Sequence, residues 1–368
     1  MAETGRKKNL EELRCLAMMM VVVLHFLGKG NLLGDVSVPG MSAVGIVAWI
    51  FEAFCIVAVN VYMLISGYFL CESSFKLNRL LMLYLQVWMY SVGVGIVAVL
   101  TGIVPAEEMN THYFLSLLFP VSMGHYWFMT AYVFLYLLLP LVGMAIKNMS
   151  KKQLNLVLIT LLMVFCVVKS VLPFRLEEDG KGYDVLWYLC VFVVAAYIRK
   201  FGMGILKKRL NCILLYVGGC LLALAELFAL RTIYLQKGSL GLILKISFEY
   251  NHVFVLMAAV GLFGLFLHAK AENVIGKAAA KVGPYVLGVY LLHENIGVRY
   301  GWQKWFGAER IETVLQLIGW TLGAVICVFV TGVIVEWIRS MIMKGLGKLL
   351  SHLKIWKKLT EKLEGVRV

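Results

Sequence analysis

Charge is scarce in this chain. Asp, Glu, Lys and Arg make up 15% of its 368 residues and hydrophobic residues 61%, where soluble domains lie nearer a quarter and a half. That shortage excludes an ordinary soluble domain, and no stretch of the chain is left over to form a sizeable one. There is no internal repeat, low-complexity segment or linker. None of the eight cysteines forms a CxxC pair, and most lie inside apolar runs. A disulfide framework and a zinc site are therefore not expected, and the thiols read as small packing groups. A Gly-rich phosphate loop and an HExxH-type metal spacing are also missing. The basic RKK near the N-terminus precedes an apolar stretch, as in a signal peptide. No small-residue cleavage motif follows His25, however, so this stretch reads as an uncleaved first spanning helix.

What the chain does have is apolar runs of about twenty residues, each long enough to cross a bilayer. Mean hydropathy is +0.85. The runs predict an all-α, polytopic transmembrane bundle of about ten helices, at 10–29, 43–69, 80–102, 125–146, 153–172, 184–200, 211–230, 242–267, 282–300 and 313–338. The eighth carries Lys245 and Glu249 inside its apolar pattern. Residues 113–123 are apolar but too short to span, which fits a re-entrant or interfacial piece. The division is a transmembrane domain over 1–340 and a basic amphipathic tail over 341–368, where lysines alternate with Leu353, Ile355, Trp356, Leu359 and Leu363. Such a tail suits the inner membrane surface.

The net charge of +14 does not point to nucleic acid, because the cations are spread through short loops and the tail. With the N-terminus inside, 24 Lys and Arg fall on the cytoplasmic side and 9 on the other. By the positive-inside rule, both termini are expected in the cytoplasm, with anionic lipid headgroups as partners.

Within the first run, Arg14 and His25 are eleven residues apart. At about 100° per residue both leave one helix face, separated along the axis by about 16 Å. Each alone has a plain explanation: Arg14 as a snorkelling anchor, His25 as a hydrogen bond to a neighbouring helix. Together they point to one pathway through the bundle. Other polar residues at membrane depth sort by side. Glu52, His125, Trp127, His293 and Glu294 lie towards the outer half; Asn60, Ser66, Lys76 and Arg79 lie towards the inner half. An imidazole beside a carboxylate is suited to act as general base on a hydroxyl. Cations at the inner mouth suit a phosphorylated donor. His112 and His252 read as structural.

The segment NLEELRCLAMMMVVVLH (9–25) resembles the first helix of the acyltransferase-3 family of integral membrane acyltransferases, whose signature is a basic residue, ten intervening residues and a histidine. VNVYMLISGYFL (59–70), KLNRLLMLYLQVW (76–88), HYWFMTAYVFLYLLLPLV (125–142), EYNHVFVLMAAVGLF (249–263) and VLGVYLLHEN (286–295) resemble its Gram-positive, polysaccharide-modifying branch. The resemblance implies a ten-helix fold in the bacterial plasma membrane. It implies transfer of an acyl group, most often acetyl from acetyl-CoA, to a hydroxyl of a cell-surface glycan or its lipid-linked precursor. It places catalytic importance on His25 and donor binding on Arg14, Lys76 and Arg79, with lysine at 76 where many relatives carry arginine.

On this reading Glu52, His293 and Glu294 are candidates to orient His25. Asn60 and Ser66 join the donor set, and His125 and Trp127 are candidate acceptor contacts. No metal is expected. Competing readings are a small-molecule transporter, which would show repeated broken helices, and a non-catalytic component of a glycan-export system.

Overall fold

The computed structural model describes residues 7–172, 179–352, 363 and 365. The tail pattern from Leu353 to Leu359, and the loop cations Arg6 and Arg175, lie outside the described residues. The described chain is helical, and no strand occurs among the described residues.

In chain order the helices are α1 (Lys8–Lys29), α2 (Ala43–Cys55), α3 (Ala58–Leu70), α4 (Leu77–Leu100), α5 (Thr111–Leu118), α6 (Trp127–Asn148), α7 (Lys151–Leu162) and α8 (Val168–Val171). They continue as α9 (Val185–Phe201), α10 (Arg209–Lys237), α11 (Val253–Leu267), α12 (Val274–Val282), α13 (Val286–His293), α14 (Trp302–Trp305) and α15 (Val314–Leu350). A single π turn, Met163–Val167, joins α7 to α8. Seven helical segments among the described residues are long and apolar enough to cross a membrane. α1 is not among them because Glu11, Glu12 and Arg14 interrupt its apolar character. α9 falls short with 17 residues.

Several expected helices differ in detail, the seventh running on to Lys237. The second is divided, with α2 ending at Cys55 and α3 starting at Ala58. The eighth begins only at Val253: residues 241–248 form two 3₁₀ turns, and the charged Lys245 and Glu249 flank the second of them. The ninth, expected over 282–300, is shortened to the eight-residue α13: a 3₁₀ turn over Gly283–Tyr285, where Pro284 has no N–H to donate, separates it from α12, and it ends at His293. The tenth does not stop near residue 338 but runs unbroken to Leu350, so the boundary drawn at 340/341 falls inside a helix. Residues 113–123 supply the short helix α5, capped by the Asn110 side chain.

α1 is the central post. It packs against α2, α3, α11, α12, α13 and α15, and Leu10, Leu13, Ala17, Val22, Phe26 and Leu27 are fully buried. The outward faces of the peripheral helices carry Met82, Phe134, Leu141, Leu156, Leu214 and Leu322, all exposed. A lipid environment tolerates these apolar faces while the helices satisfy their own backbone polar groups.

Candidate active site

A cavity of about 480 Å³ runs along one face of α1, lined by Arg14, Met18, Val21, Leu24 and His25 of that helix. This is a ligand-sized volume. Arg14 and His25 thus share one wall, at the separation of about 16 Å that helical rise dictates.

At the Arg14 end the cavity is also lined by Arg79 and Arg339. Arg14 is held by its own helix: Nη1 donates to Glu11 Oε1 at 2.7 Å and to Oε2 at 2.8 Å. Arg339 is held in the same way three residues from Glu336, with Nε to Oε2 at 2.8 Å and Nη2 to Oε1 at 2.7 Å. Two E-x-x-R turns, one on α1 and one on α15, therefore aim guanidiniums into the same space. Two glycines of the broken segment make room for their carboxylates. A Cβ at Gly283 would collide with Glu11 Oε2, and one at Gly288 with Glu336 and the Tyr90 hydroxyl. Arg79 lies over the Tyr136 ring, 6.0 Å from its centroid. Among the described residues no ion-pair partner is recorded for Arg79.

At the other end His25 meets the last turn of α13. His293 Nδ1 lies 2.6 Å from the Val289 carbonyl oxygen, and His293 Nε2 lies 2.9 Å from His25 Nδ1. A carbonyl only accepts, so His293 carries its proton on Nδ1 and its Nε2 accepts. His25 must then donate from Nδ1. The same Nδ1 lies 3.1 Å from Glu294 Oε2. The partner network thus assigns the tautomer of His25 and leaves its Nε2 lone pair for chemistry. The side chain of Glu294 is 4% exposed and pairs with Lys29, with Arg299 Nε 3.8 Å from its other oxygen. The arrangement is a base, a carboxylate behind it and cations behind the carboxylate, the logic by which an imidazole is oriented and its protonated form stabilised.

His25, His293 and Glu294 also carry metal-ligand chemistry, with ligand atoms within 4.8 Å of one another. The two ring nitrogens face each other at hydrogen-bond distance, and Lys29 pairs with the carboxylate.

The remaining expected residues divide. Ser66 and Trp127 line the cavity. Glu52 is not among the residues lining the cavity and lies within electrostatic reach of Lys245. Lys76 is exposed and outside the cavity lining; its backbone N–H donates to the Tyr136 hydroxyl. Asn60 is a strut, donating to the Tyr250 carbonyl at 2.7 Å and accepting from Trp187 Nε1 at 2.9 Å. His125 is similarly committed: Nδ1 lies 2.9 Å from Ser91 Oγ, and Nε2 accepts from the Ile296 backbone N–H. It stacks on Tyr126 with ring centroids 4.0 Å apart and does not line the cavity. His252 is fully buried and caps α11.

Sequence reasoning missed Arg339, counting it among the tail cations. The signal was there in the repeated E-x-x-R of Glu11–Arg14 and Glu336–Arg339. It also missed Lys29 and Arg299 as the cations behind Glu294.

The family model for the acyltransferase-3 family, described as an acyltransferase domain, matches residues 7–337. No curated protein and no solved structure gives a significant match.

Proposed function

Because the chain belongs to the acyltransferase-3 family and is a membrane acyltransferase, we propose that it transfers an acyl group, acetyl in the first instance, from acyl-CoA to a hydroxyl of a cell-surface glycan or its lipid-linked precursor. The setting is the plasma membrane of a bacterial cell, with both termini in the cytoplasm. The observation that carries this reading is the single cavity joining three arginines to a carboxylate-backed histidine.

Arg14, Arg79 and Arg339 grip the donor phosphates at the cytoplasmic mouth, where guanidinium forks match phosphate oxygens. The wall between Arg14 and His25 guides the thioester to the far end. His25 Nε2 removes the proton of the acceptor hydroxyl, and that oxygen attacks the thioester carbonyl. The C–O bond forms, the C–S bond breaks, and His25 returns the proton to the departing sulfur. Glu294 and His293 hold the ring in its donating tautomer and stabilise the imidazolium between the two proton transfers. A positioned general base of this kind contributes roughly 10²–10⁴-fold. The same free Nε2 also has the chemistry to carry the acyl group transiently.

The test is thiol release from acetyl-CoA by the purified full chain in lipid nanodiscs supplied with glycan extracted from the native host as acceptor, with His25→Ala beside it. Release should require wild-type protein and fall by about two orders of magnitude or more in the variant. Equal release from both refutes the role of His25, whereas solute uptake without thiol release would favour a transporter.

A further inference from the structure

The carboxylate behind His25 sits where helix geometry no longer decides its place. α13 ends at His293, and Glu294 is its C-cap residue, with φ −97° and ψ 5°. His293 is therefore carried by a helical turn, whereas the direction of the Glu294 side chain depends on the stretch that follows, residues 295–299. Arg299 stands at the other end of that stretch, with its Nε 3.8 Å from Glu294 Oε1. Whatever holds 295–299 holds the charges behind the base.

His125 grips this stretch at two points. Its ring Nε2 accepts the backbone N–H of Ile296 at 2.9 Å. Its carbonyl oxygen accepts from Arg299 Nη2 at 2.6 Å. The far side of the ring is anchored in turn. Because Nε2 accepts, the ring proton is on Nδ1, which lies 2.9 Å from Ser91 Oγ and 3.2 Å from the Ser116 carbonyl oxygen. Ser91 Oγ donates to the Leu117 carbonyl at 2.8 Å, so it accepts from the imidazole. The Ser91 carbonyl also accepts from Asn295 Nδ2 at 3.1 Å. The imidazole is thus a rigid bar between α4 and the turn after Glu294. At 4% exposure and outside the cavity wall, it is placed to hold protein and not ligand.

We propose that His125 is a positioning residue: by holding 295–299 against α4 it keeps Glu294 and Arg299 in place behind His25. This inference rests on the acyltransfer reading above and adds to that site a side chain that acts only through Glu294. A neutral imidazole suits the task because one rigid ring both donates and accepts. Phenylalanine would keep the stack on Tyr126 but strand the Ile296 N–H, whereas glutamine returns an acceptor to the place of Nε2.

The experiment is steady-state thiol release from acetyl-CoA by the full chain in nanodiscs, with glycan extracted from the native host as acceptor. The variants are His125→Phe, His125→Gln, Glu294→Gln and the double variant His125→Phe with Glu294→Gln. Equilibrium CoA binding, which reads the arginine end, reports whether each is folded. His125→Phe should lower turnover about tenfold or more, the scale of a misplacement of about 1 Å, with CoA binding and KM for acetyl-CoA within about twofold of wild type. His125→Gln should recover most of the turnover. In the double variant the His125 change should add less than about twofold to the loss from Glu294→Gln alone, because residues that act as a unit are not additive. Losses that multiply in the double variant overturn the proposal, since His125 would then act independently of Glu294. Unchanged turnover in His125→Phe overturns it too, as does a raised KM for glycan with turnover kept, which would make His125 an acceptor contact. If His125→Phe fails to bind CoA, Ser91→Ala decides in its place: a severalfold loss that Glu294→Gln absorbs upholds the proposal, and an absent or multiplying loss overturns it. If wild type releases no thiol, the acyltransfer reading itself fails and takes this inference with it.

Discussion

Replacing Glu294 with glutamine keeps the shape behind His25 and removes only the charge. In the native arrangement a carboxylate oxygen lies 3.1 Å from His25 Nδ1 and pairs with Lys29, with Arg299 Nε 3.8 Å from the other oxygen. When His25 takes a proton, that carboxylate faces an imidazolium. Opposite unit charges about 4 Å apart attract by about 4 kcal/mol at an effective dielectric near 20. The Nδ1 hydrogen bond to His293 remains and only the charge attraction goes, so about 3 kcal/mol of the transition-state stabilisation is lost, a fall in turnover of roughly a hundredfold. KM for acetyl-CoA should hold, because the arginines are about 16 Å away along α1. Steady-state thiol release in nanodiscs with excess glycan acceptor measures both constants. Lys29 loses its counter-charge in this variant, and breaking a buried pair destabilises by about 3–5 kcal/mol. Glu294→Gln combined with Lys29→Met therefore serves as the folded control. Turnover within about threefold of wild type in both variants, or a rise in KM with turnover unchanged, would refute the relay.

Arg339→Gln should weaken CoA binding by roughly ten- to a hundredfold, the worth of one charge-assisted phosphate contact. Binding of an acetyl-pantetheine thioester, which lacks the nucleotide phosphates, should be little affected; calorimetric titration with both ligands checks the difference. Gly288→Ala drives a methyl group into Glu336 and the Tyr90 hydroxyl. It should cost about 1–3 kcal/mol of stability by overpacking, read as a lower midpoint in thermal unfolding, and should raise KM for acetyl-CoA by displacing Arg339.

The parts of the site that follow from helical period were legible. Arg14 and His25 share a wall because eleven residues nearly complete three turns, and Arg79 was marked by its place at the start of α4. His293 and Glu294 were named with Glu52 as candidates to orient His25, but the choice among them was not legible. His293 is 268 residues away in sequence, and nothing in the apolar pattern around Glu52 distinguished it from Glu294 as the carboxylate behind the imidazole. Asn60 and His125 looked like ligand contacts for a related reason. A polar side chain inside a helical bundle must find a partner, and one chain cannot say whether that partner is protein or substrate. Both found protein. Arg339 was hidden by its company: the lysines that follow it look like a tail, while α15 continues through them as one helix. The break at Cys55–Ala58 was concealed by unbroken hydrophobicity, whereas the one at Gly283–Tyr285 carries the Gly-Pro pair as a visible signal.

The two E-x-x-R pairs also bear on how the bundle is assembled. Each pair closes within a single helical turn, so it exists as soon as that helix forms and before any neighbour arrives. α1 and α15 can thus enter the bilayer with Arg14 and Arg339 already neutralised, which lowers the cost that a bare guanidinium carries at membrane depth. The ion pairs of Glu294 have the opposite character. Lys29 and Glu294 lie 265 positions apart, and their bridge forms only once the first and ninth hydrophobic segments have met. The arginine-lined end is therefore complete in its parts from the moment of insertion, whereas the His25 end comes into being last. A nascent or partly assembled chain would hold the arginines but no oriented base, and reactivity would be withheld until the bundle closes.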